Sequence, residues 1–185
     1  MRLNLPTALT FLRIILIPLF VLVFYLPYDW AFPVSAMIFA VAGFTDWLDG
    51  YLARRWNQMS AFGAFLDPVA DKLMVAAALI MLVDKNGGLL LVIPAVVIVG
   101  REITVSALRE WMAEIGQRSS VAVSAIGKIK TALQMFAIWL LLYHQPIAGL
   151  PTRTLGMMLI YLAAGLTLWS MVMYLRVALR NIDLE

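Results

Sequence analysis

The chain of 185 residues contains no cysteine and a single histidine. The lack of cysteine excludes disulfide frameworks, thiolate zinc sites and thiol nucleophiles. One imidazole is too few for a histidine-rich metal site, and it makes a histidine-dependent catalytic triad a poor expectation. If this protein carries out chemistry, we therefore expect it to use carboxylates.

Charged residues are also scarce, because they make up 14% of the sequence while 63% of the residues are hydrophobic. Fourteen Lys and Arg residues face eleven Asp and Glu residues, which gives a formal net charge of only +3. Without a run rich in Lys and Arg, the sequence lacks the footprint of nucleic-acid binding and predicts no nucleic-acid partner. Together with a mean hydropathy of +0.91, this composition indicates a protein whose main solvent is lipid.

Six apolar segments have the length of roughly 20 residues that a helix needs to cross a bilayer. Turn-like breaks separate them. The sequence therefore predicts an all-α polytopic membrane protein, one domain over residues 1–185, with a bundle of six transmembrane helices and a short N-terminal interfacial segment at 1–6. The predicted spans are approximately 5–26, 30–53, 60–83, 89–111, 121–143 and 154–177.

The positive charges divide unequally between the two ends of these spans. Only Lys85 and Arg153 belong to one side, whereas the other Lys and Arg residues lie on the opposite side or at the helix ends nearest it. Because cytoplasmic loops carry an excess of Lys and Arg, this division predicts that both termini lie in the cytoplasm.

Four aspartates interrupt two consecutive apolar spans. Asp46 and Asp49 are three residues apart near the cytoplasmic end of the second span, and Asp67 and Asp71 are four residues apart in the third, so each pair shares a helix face. An intramembrane charge costs about 2.5 to 3.5 kcal/mol on insertion scales, so such residues usually face a polar cavity or a partner. The short loop between the spans predicts that they are antiparallel neighbours and that both pairs lie at similar depth.

Four converging carboxylates repel one another unless cations neutralise them. Ligation by oxygen alone favours Mg²⁺, Mn²⁺ or Ca²⁺, and Mg²⁺ often completes its shell with substrate phosphates. Two such ions can activate an attacking oxygen and stabilise a phosphate-linked leaving group, so these residues favour phosphoryl-group transfer at the membrane surface. In a structural alternative, the aspartates are ion-pair partners of Arg54, Lys72 or Arg101.

Two other functions are compatible with intramembrane aspartates. A cation transporter or channel places them along an ion path near the bilayer midplane, whereas here they lie towards one end of their spans. A non-catalytic membrane scaffold makes no demand on Asp71.

The aspartates belong to a longer ordered motif. It comprises Asp46, Asp49, Gly50, Ala53 and Arg54, then eight residues, then Gly63, Asp67 and Asp71. Every fixed position and the spacer resemble the signature of the CDP-alcohol phosphatidyltransferase family, D-x-x-D-G-x-x-A-R-x8-G-x-x-x-D-x-x-x-D. The resemblance implies a six-helix membrane enzyme that transfers a phosphatidyl group from CDP-diacylglycerol to an alcohol and releases CMP.

The resemblance also implies roles for the acidic residues. Two divalent ions, Mg²⁺ with Mn²⁺ as the alternative, would be held by Asp46, Asp49, Asp67 and Asp71. Asp71 would in addition be the general base that takes the hydroxyl proton of the acceptor, because a nearby metal makes that hydroxyl more acidic.

A CDP-diacylglycerol site follows from the same resemblance, with Gly50, Ala53, Arg54, Ser60, Gly63, Asn4 and Thr7 as its residues. Gly50 and Ala53 would let the nucleotide approach the helix backbone, and Arg54 would offer a planar fork to the pyrophosphate. Ser60 is equally well explained as the N-cap of the third span.

A second set of basic residues indicates the acceptor. These residues, on the fourth and fifth spans and the loop between them, are Arg101, Arg109, Arg118, Lys128 and Lys130. Such a cluster suits a dianionic head group, with the ordinary positive-inside bias and lipid-phosphate anchoring as the alternative for Arg109 and Arg118.

The segments that carry these cations are similar to those of bacterial family members whose acceptor is sn-glycerol 3-phosphate. This likeness implies phosphatidylglycerophosphate as the product, a homodimer, and a bacterial cytoplasmic membrane location with a cytoplasmic active site. Inositol phosphate, serine and phosphatidylglycerol stay open as other acceptors.

Overall fold

The computed structural model describes residues 5–56, 61–114, 125–147 and 149–182. In these ranges the chain forms six α-helices, and its only β-type pairing is an isolated bridge between Ile147 and Leu150. The helices are α1 (Leu5–Phe24), α2 (Ala31–Trp56), α3 (Ala61–Leu82), α4 (Gly88–Glu114), α5 (Ala125–Tyr143) and α6 (Thr152–Ile182). The prediction of an all-α architecture is confirmed.

The predicted helix limits agree with the observed ones at the start of the chain and differ at its end. α1 begins at Leu5, the predicted start of the first span, and Pro6 lies in its first turn, where the missing N–H of a proline costs no hydrogen bond. Residues 1–4 lie outside the described part of the chain. At the other end, α6 continues to Ile182, because backbone hydrogen bonding does not stop where the apolar run stops.

The break predicted at residues 84–88 is helical rather than a loop. Val83–Gly87 forms a π-helical turn that leads directly into α4. Gly88 follows with φ +44°, a backbone conformation that residues with a Cβ rarely adopt. A single glycine therefore makes the change of direction between α3 and α4.

Three helices of the described chain are long and apolar enough to cross a membrane: Ala31–Ala53, Gly88–Met112 and Thr152–Arg176. Ala8–Phe24 and Ile129–Tyr143 are shorter apolar helices. Large side chains such as Leu22, Leu89 and Met158 are exposed on the outside, as expected where lipid rather than water covers the surface. The structure is that of a polytopic membrane protein.

The buried core joins all six helices. Its larger members include Phe20, Phe24, Phe39, Leu79, Ile98, Ile138 and Ile160. α5 and α6 make the most extensive helix contact, and α4 packs against α6.

The position of α1 differs from the simplest expectation for the acidic spans. α1 packs along α2 and also against α3, whereas α2 and α3 contact each other directly only over a short stretch. The predicted contact between α2 and α3 is therefore present but limited, and α1 packs more extensively against each of them. Both helices are neighbours of α1, and their acidic faces approach each other at that helix.

Candidate active site

The aspartates of α2 and α3 converge on one arginine of α1. Arg13 is 1% exposed, and its Nη1 lies 3.1 Å from Asp46 Oδ1 while its Nη2 lies 2.5 Å from Asp49 Oδ2. Nη1 also donates a hydrogen bond to Asp71 Oδ1. One planar guanidinium thus bridges carboxylates from two different helices, a geometry for which its fixed fork is suited.

The fourth aspartate is also reached from α1. Thr10, three residues before Arg13 and buried, donates its hydroxyl hydrogen to Asp67 Oδ1. Since residues three apart share a helix face, the same face of α1 contacts all four aspartates.

The cluster has a closed side and an open side. Asp49 is buried with 3% of its side chain exposed, whereas the side chains of Asp46 and Asp71 are each 43% exposed. A substrate can therefore approach Asp46 and Asp71, while Asp49 lies behind them against Arg13.

A second polar cluster joins α4, α5 and α6. Arg101 Nη1 lies 2.7 Å from Glu102 Oε1, and the Nζ of buried Lys130 lies 3.6 Å from the same oxygen. The guanidinium carbons of Arg101 and Arg109 lie 5.8 and 5.9 Å from the ring centroid of Tyr174 on α6. Three cations are thus gathered near one carboxylate, so this cluster carries a net positive charge.

The two clusters are linked between α3 and α4. Lys72, the residue after Asp71, donates to Ser106 Oγ at 2.5 Å, and that hydroxyl donates to the backbone oxygen of Glu102 at 2.6 Å. The acidic cluster, on α1, α2 and α3, therefore adjoins the basic cluster, on α4, α5 and α6, through this contact between α3 and α4.

The sequence profile of the CDP-alcohol phosphatidyltransferase family matches residues 3–169. The chain belongs to the CDP-alcohol phosphatidyltransferase family. Members of this family are generally dependent on divalent metal.

Several relatives match this phosphatidyltransferase over nearly its whole length. The proteins named CDP-diacylglycerol–glycerol-3-phosphate 3-phosphatidyltransferase from Salmonella typhimurium (strain LT2) and Escherichia coli (strain K12) are 55% and 54% identical to it. Each match spans 178 residues, which is 96% of both chains. These bacterial relatives and the apolar helices fit a multi-pass protein of the inner membrane.

The structure describes only some of the residues that the family resemblance predicts for the CDP-diacylglycerol site. Gly50 and Ala53 lie half-buried on α2, within or just beyond the turn that carries Asp49, and Gly63 is buried on α3. For Thr7 and Arg54 the helical backbone alone is described. Two further predicted residues, Asn4 and Ser60, lie outside the described residues.

The residues predicted to bind the acceptor are also only partly described. Arg101, Arg109 and Lys130 belong to the basic cluster around Glu102 and Tyr174. Lys128 is described only as part of the helical backbone of α5, and Arg118 lies outside the described residues.

In the structural alternative, the aspartates are ion-pair partners of Arg54, Lys72 or Arg101. The described contacts of Lys72 and Arg101 do not support it. Lys72 bonds to Ser106 and Arg101 bonds to Glu102, so neither is the partner of an aspartate in the described contacts. The partner is Arg13, which the sequence offered only as a cation near a helix end. A signal was present, because Asn4, Thr7, Thr10 and Arg13 recur at every third position of an otherwise apolar segment.

The donor set fits a hard divalent cation by its chemistry. All four side chains offer carboxylate oxygens, which Mg²⁺, Mn²⁺ and Ca²⁺ prefer. In the described part of the chain, no three acidic or imidazole groups have the spacing of a formed coordination shell. In the described contacts, three of the carboxylates point towards the Arg13 guanidinium and form ion pairs with it.

Proposed function

We propose that this chain transfers the phosphatidyl group from CDP-diacylglycerol to sn-glycerol 3-phosphate, giving phosphatidylglycerophosphate and CMP. Family membership supports the donor chemistry, and the names of its relatives support the acceptor. The observation that carries the proposal is the meeting of four motif aspartates at α1 beside a separate basic cluster on α4, α5 and α6.

The donor binds with its pyrophosphate at the acidic cluster and its acyl chains in the surrounding lipid. Asp46, Asp49, Asp67 and Asp71 would hold two divalent ions, with Mg²⁺ as the expected metal and Mn²⁺ as the alternative. When bound, such ions supply positive charge that stabilises the pyrophosphate and makes a nearby hydroxyl more acidic. Asp46 and Asp71 face the open side of the cluster, where the reacting phosphate can reach them.

Asp71 acts as the general base. Its carboxylate takes the proton of the acceptor hydroxyl, the hydroxyl oxygen forms a bond to the phosphorus that carries diacylglycerol, and the bond from that phosphorus to the CMP oxygen breaks. CMP leaves with the electron pair of that bond. The neighbouring Lys72 is held away on Ser106, so its ammonium group does not compete for this carboxylate in the described contacts.

The acceptor phosphate binds at the basic cluster. The guanidinium groups of Arg101 and Arg109 both contact the ring of Tyr174, and buried Lys130 adds an ammonium group near Glu102. Glu102 offsets part of this charge and orients Arg101 and Lys130. A dianionic phosphate is the ligand that best matches the remaining excess of positive charge.

Three broader features belong to the same proposal. Both termini and the open side of the acidic cluster face the cytoplasm, as the division of Lys and Arg residues predicts. The single membrane domain extends over residues 1–185. A homodimer stays a prediction of the family resemblance.

The test uses purified protein in lipid nanodiscs with Mg²⁺, CDP-dioleoylglycerol and labelled glycerol 3-phosphate. We expect CMP and a labelled phospholipid to form together, with EDTA stopping both. Parallel reactions contain inositol phosphate, serine or phosphatidylglycerol. CMP that forms only with one of these would contradict the acceptor, and no CMP with any acceptor from folded protein would contradict the enzyme.

The role of Asp71 is tested by Asp71→Asn, which keeps the shape of the side chain and removes its basicity. General-base catalysis typically contributes a factor of about 10² to 10⁴, so we expect a loss of kcat in that range. Asp84→Asn is the matched control, because Asp84 is exposed and bonds to Tyr25 at the other end of α3. Full activity of Asp71→Asn would remove the assigned base.

A further inference from the structure

Arg13 is a charged side chain in a place that is costly for a charge. It is 1% exposed in the apolar helix α1, and its Nε is buried without a hydrogen-bond partner in the described structure. Burial of an ionised group is strongly unfavourable unless paired charges and hydrogen bonds compensate. For Arg13 the compensation comes from its two terminal nitrogens, both of which face aspartates.

The aspartates depend on Arg13 in the same way. Asp49 is itself buried, and among the described side chains Arg13 is the only cation within 4 Å of Asp46, Asp49 or Asp71. These carboxylates come from two helices that make little direct contact with each other. Their mutual repulsion would separate α2 from α3 if no positive charge lay between them.

We propose that Arg13 is a positioning residue of the metal site: a built-in counter-cation that gathers the carboxylates of α2 and α3 and shares their neutralisation with the divalent ions. This inference rests on the proposed function, because it takes the aspartates as the metal ligands. Its consequence is an energetic coupling between Arg13 and metal. Removal of the guanidinium costs most stability when no metal neutralises the same carboxylates.

A purely structural Arg13 makes a different prediction. If the residue only ties α1 to the bundle by packing and hydrogen bonds, its loss lowers stability by the same amount with and without metal. The comparison of the two conditions therefore separates the two roles.

The experiment measures thermal unfolding of full-length protein in nanodiscs, in EDTA and in saturating Mg²⁺, for the unmodified chain and for Arg13→Gln. Loss of one partner of a buried pair is strongly destabilising, so we expect the midpoint in EDTA to fall by about 10 °C. In Mg²⁺ we expect less than half of that fall. Arg55→Gln is the matched control, because Arg55 is exposed on α2 and donates only to the Tyr51 hydroxyl in the described contacts.

A charge-balanced variant provides a second readout. In EDTA, Arg13→Gln combined with Asp49→Asn removes one negative charge together with the positive one. We expect this double variant to recover part of the midpoint lost by Arg13→Gln alone, whereas additive losses would overturn the inference.

The outcomes distinguish the inference from the function on which it rests. If Mg²⁺ does not raise the midpoint of the unmodified chain, the proposed metal site fails. If Mg²⁺ raises that midpoint but Arg13→Gln lowers the midpoint by the same amount in EDTA and in Mg²⁺, the metal site stands and the coupling is overturned. Should Arg13→Gln not fold in either condition, Arg13→Lys decides by the same comparison: a smaller loss, again larger in EDTA, supports the coupling, and an equal loss overturns it.

Discussion

Tyr174 on α6 is an aromatic ring that contacts two positive charges. The guanidinium carbons of Arg101 and Arg109 on α4 lie 5.8 and 5.9 Å from its ring centroid. A single ion pair could hold one guanidinium, whereas the ring contacts both. The face of an aromatic ring attracts cations without neutralising them. The ring can therefore position both arginines without offsetting their charge, whereas Glu102 offsets part of the charge of Arg101.

We expect Tyr174→Leu to raise the KM for glycerol 3-phosphate by about two- to thirtyfold, since a cation–π contact contributes about 0.5 to 2 kcal/mol. The kcat should change little, because the acidic cluster is not touched. Steady-state assays with varied acceptor concentration measure both quantities.

Tyr174→Phe is the informative control for this prediction, because it keeps the ring face and removes only the hydroxyl. It should retain the KM of the unmodified chain. An equal rise in KM for the phenylalanine and leucine variants would assign the effect to the hydroxyl and contradict the role of the ring.

At the scale of helices, α5 and α6 are held at close distance by one glycine. A Cβ built on Gly156 of α6 would lie 2.8 Å from Leu141 Cγ and 3.3 Å from the backbone oxygen of Ala137 on α5. Leu141 is buried, so its side chain has little room to move. The close approach of α5 to α6 at Ala137 and Leu141 therefore depends on the absence of a side chain at Gly156.

Gly156→Ala should destabilise the protein by about 1 to 3 kcal/mol, the usual cost of overpacking a close contact. Thermal unfolding in nanodiscs should show a fall of several degrees in the midpoint. Gly165→Ala, on the same helix, is the matched control because nothing lies within 4 Å of its added Cβ. Equal falls for both variants would show that helix packing is not the cause.

For the molecule as a whole, orientation in the membrane follows from the distribution of charge. Lys85 is exposed in the π-helical turn between α3 and α4, and Arg55 is exposed near the C-terminal end of α2. The positive-inside rule predicts that Arg55 lies on the cytoplasmic side and Lys85 on the opposite side.

Because the chain has no cysteine, single-cysteine variants test this orientation without background labelling. A membrane-impermeant maleimide added to intact spheroplasts should label Lys85→Cys. It should label Arg55→Cys only after the membrane is permeabilised. The reverse pattern would place the acidic cluster on the outer side and contradict a cytoplasmic active site.

Much of this architecture could be predicted because the relevant signals are local. Apolar runs of membrane-spanning length predict helices close to the observed α2, α4 and α6. The spacing of Asp46, Asp49, Asp67 and Asp71 places each pair on one helix face whatever else the chain does. The π-helical turn at Val83–Gly87 could not be predicted in this way, because its polar residues and glycines are equally typical of a loop.

The helices, the acidic motif and the family can be recognised from residues that lie near one another in the chain. The packing of α1 against both acidic helices, and the meeting of their carboxylates with Arg13, could be seen only in the folded protein. Arg13 and Asp71 are 58 residues apart, so their contact depends on how three helices pack. No local sequence pattern predicts which buried cation pairs with which buried carboxylate.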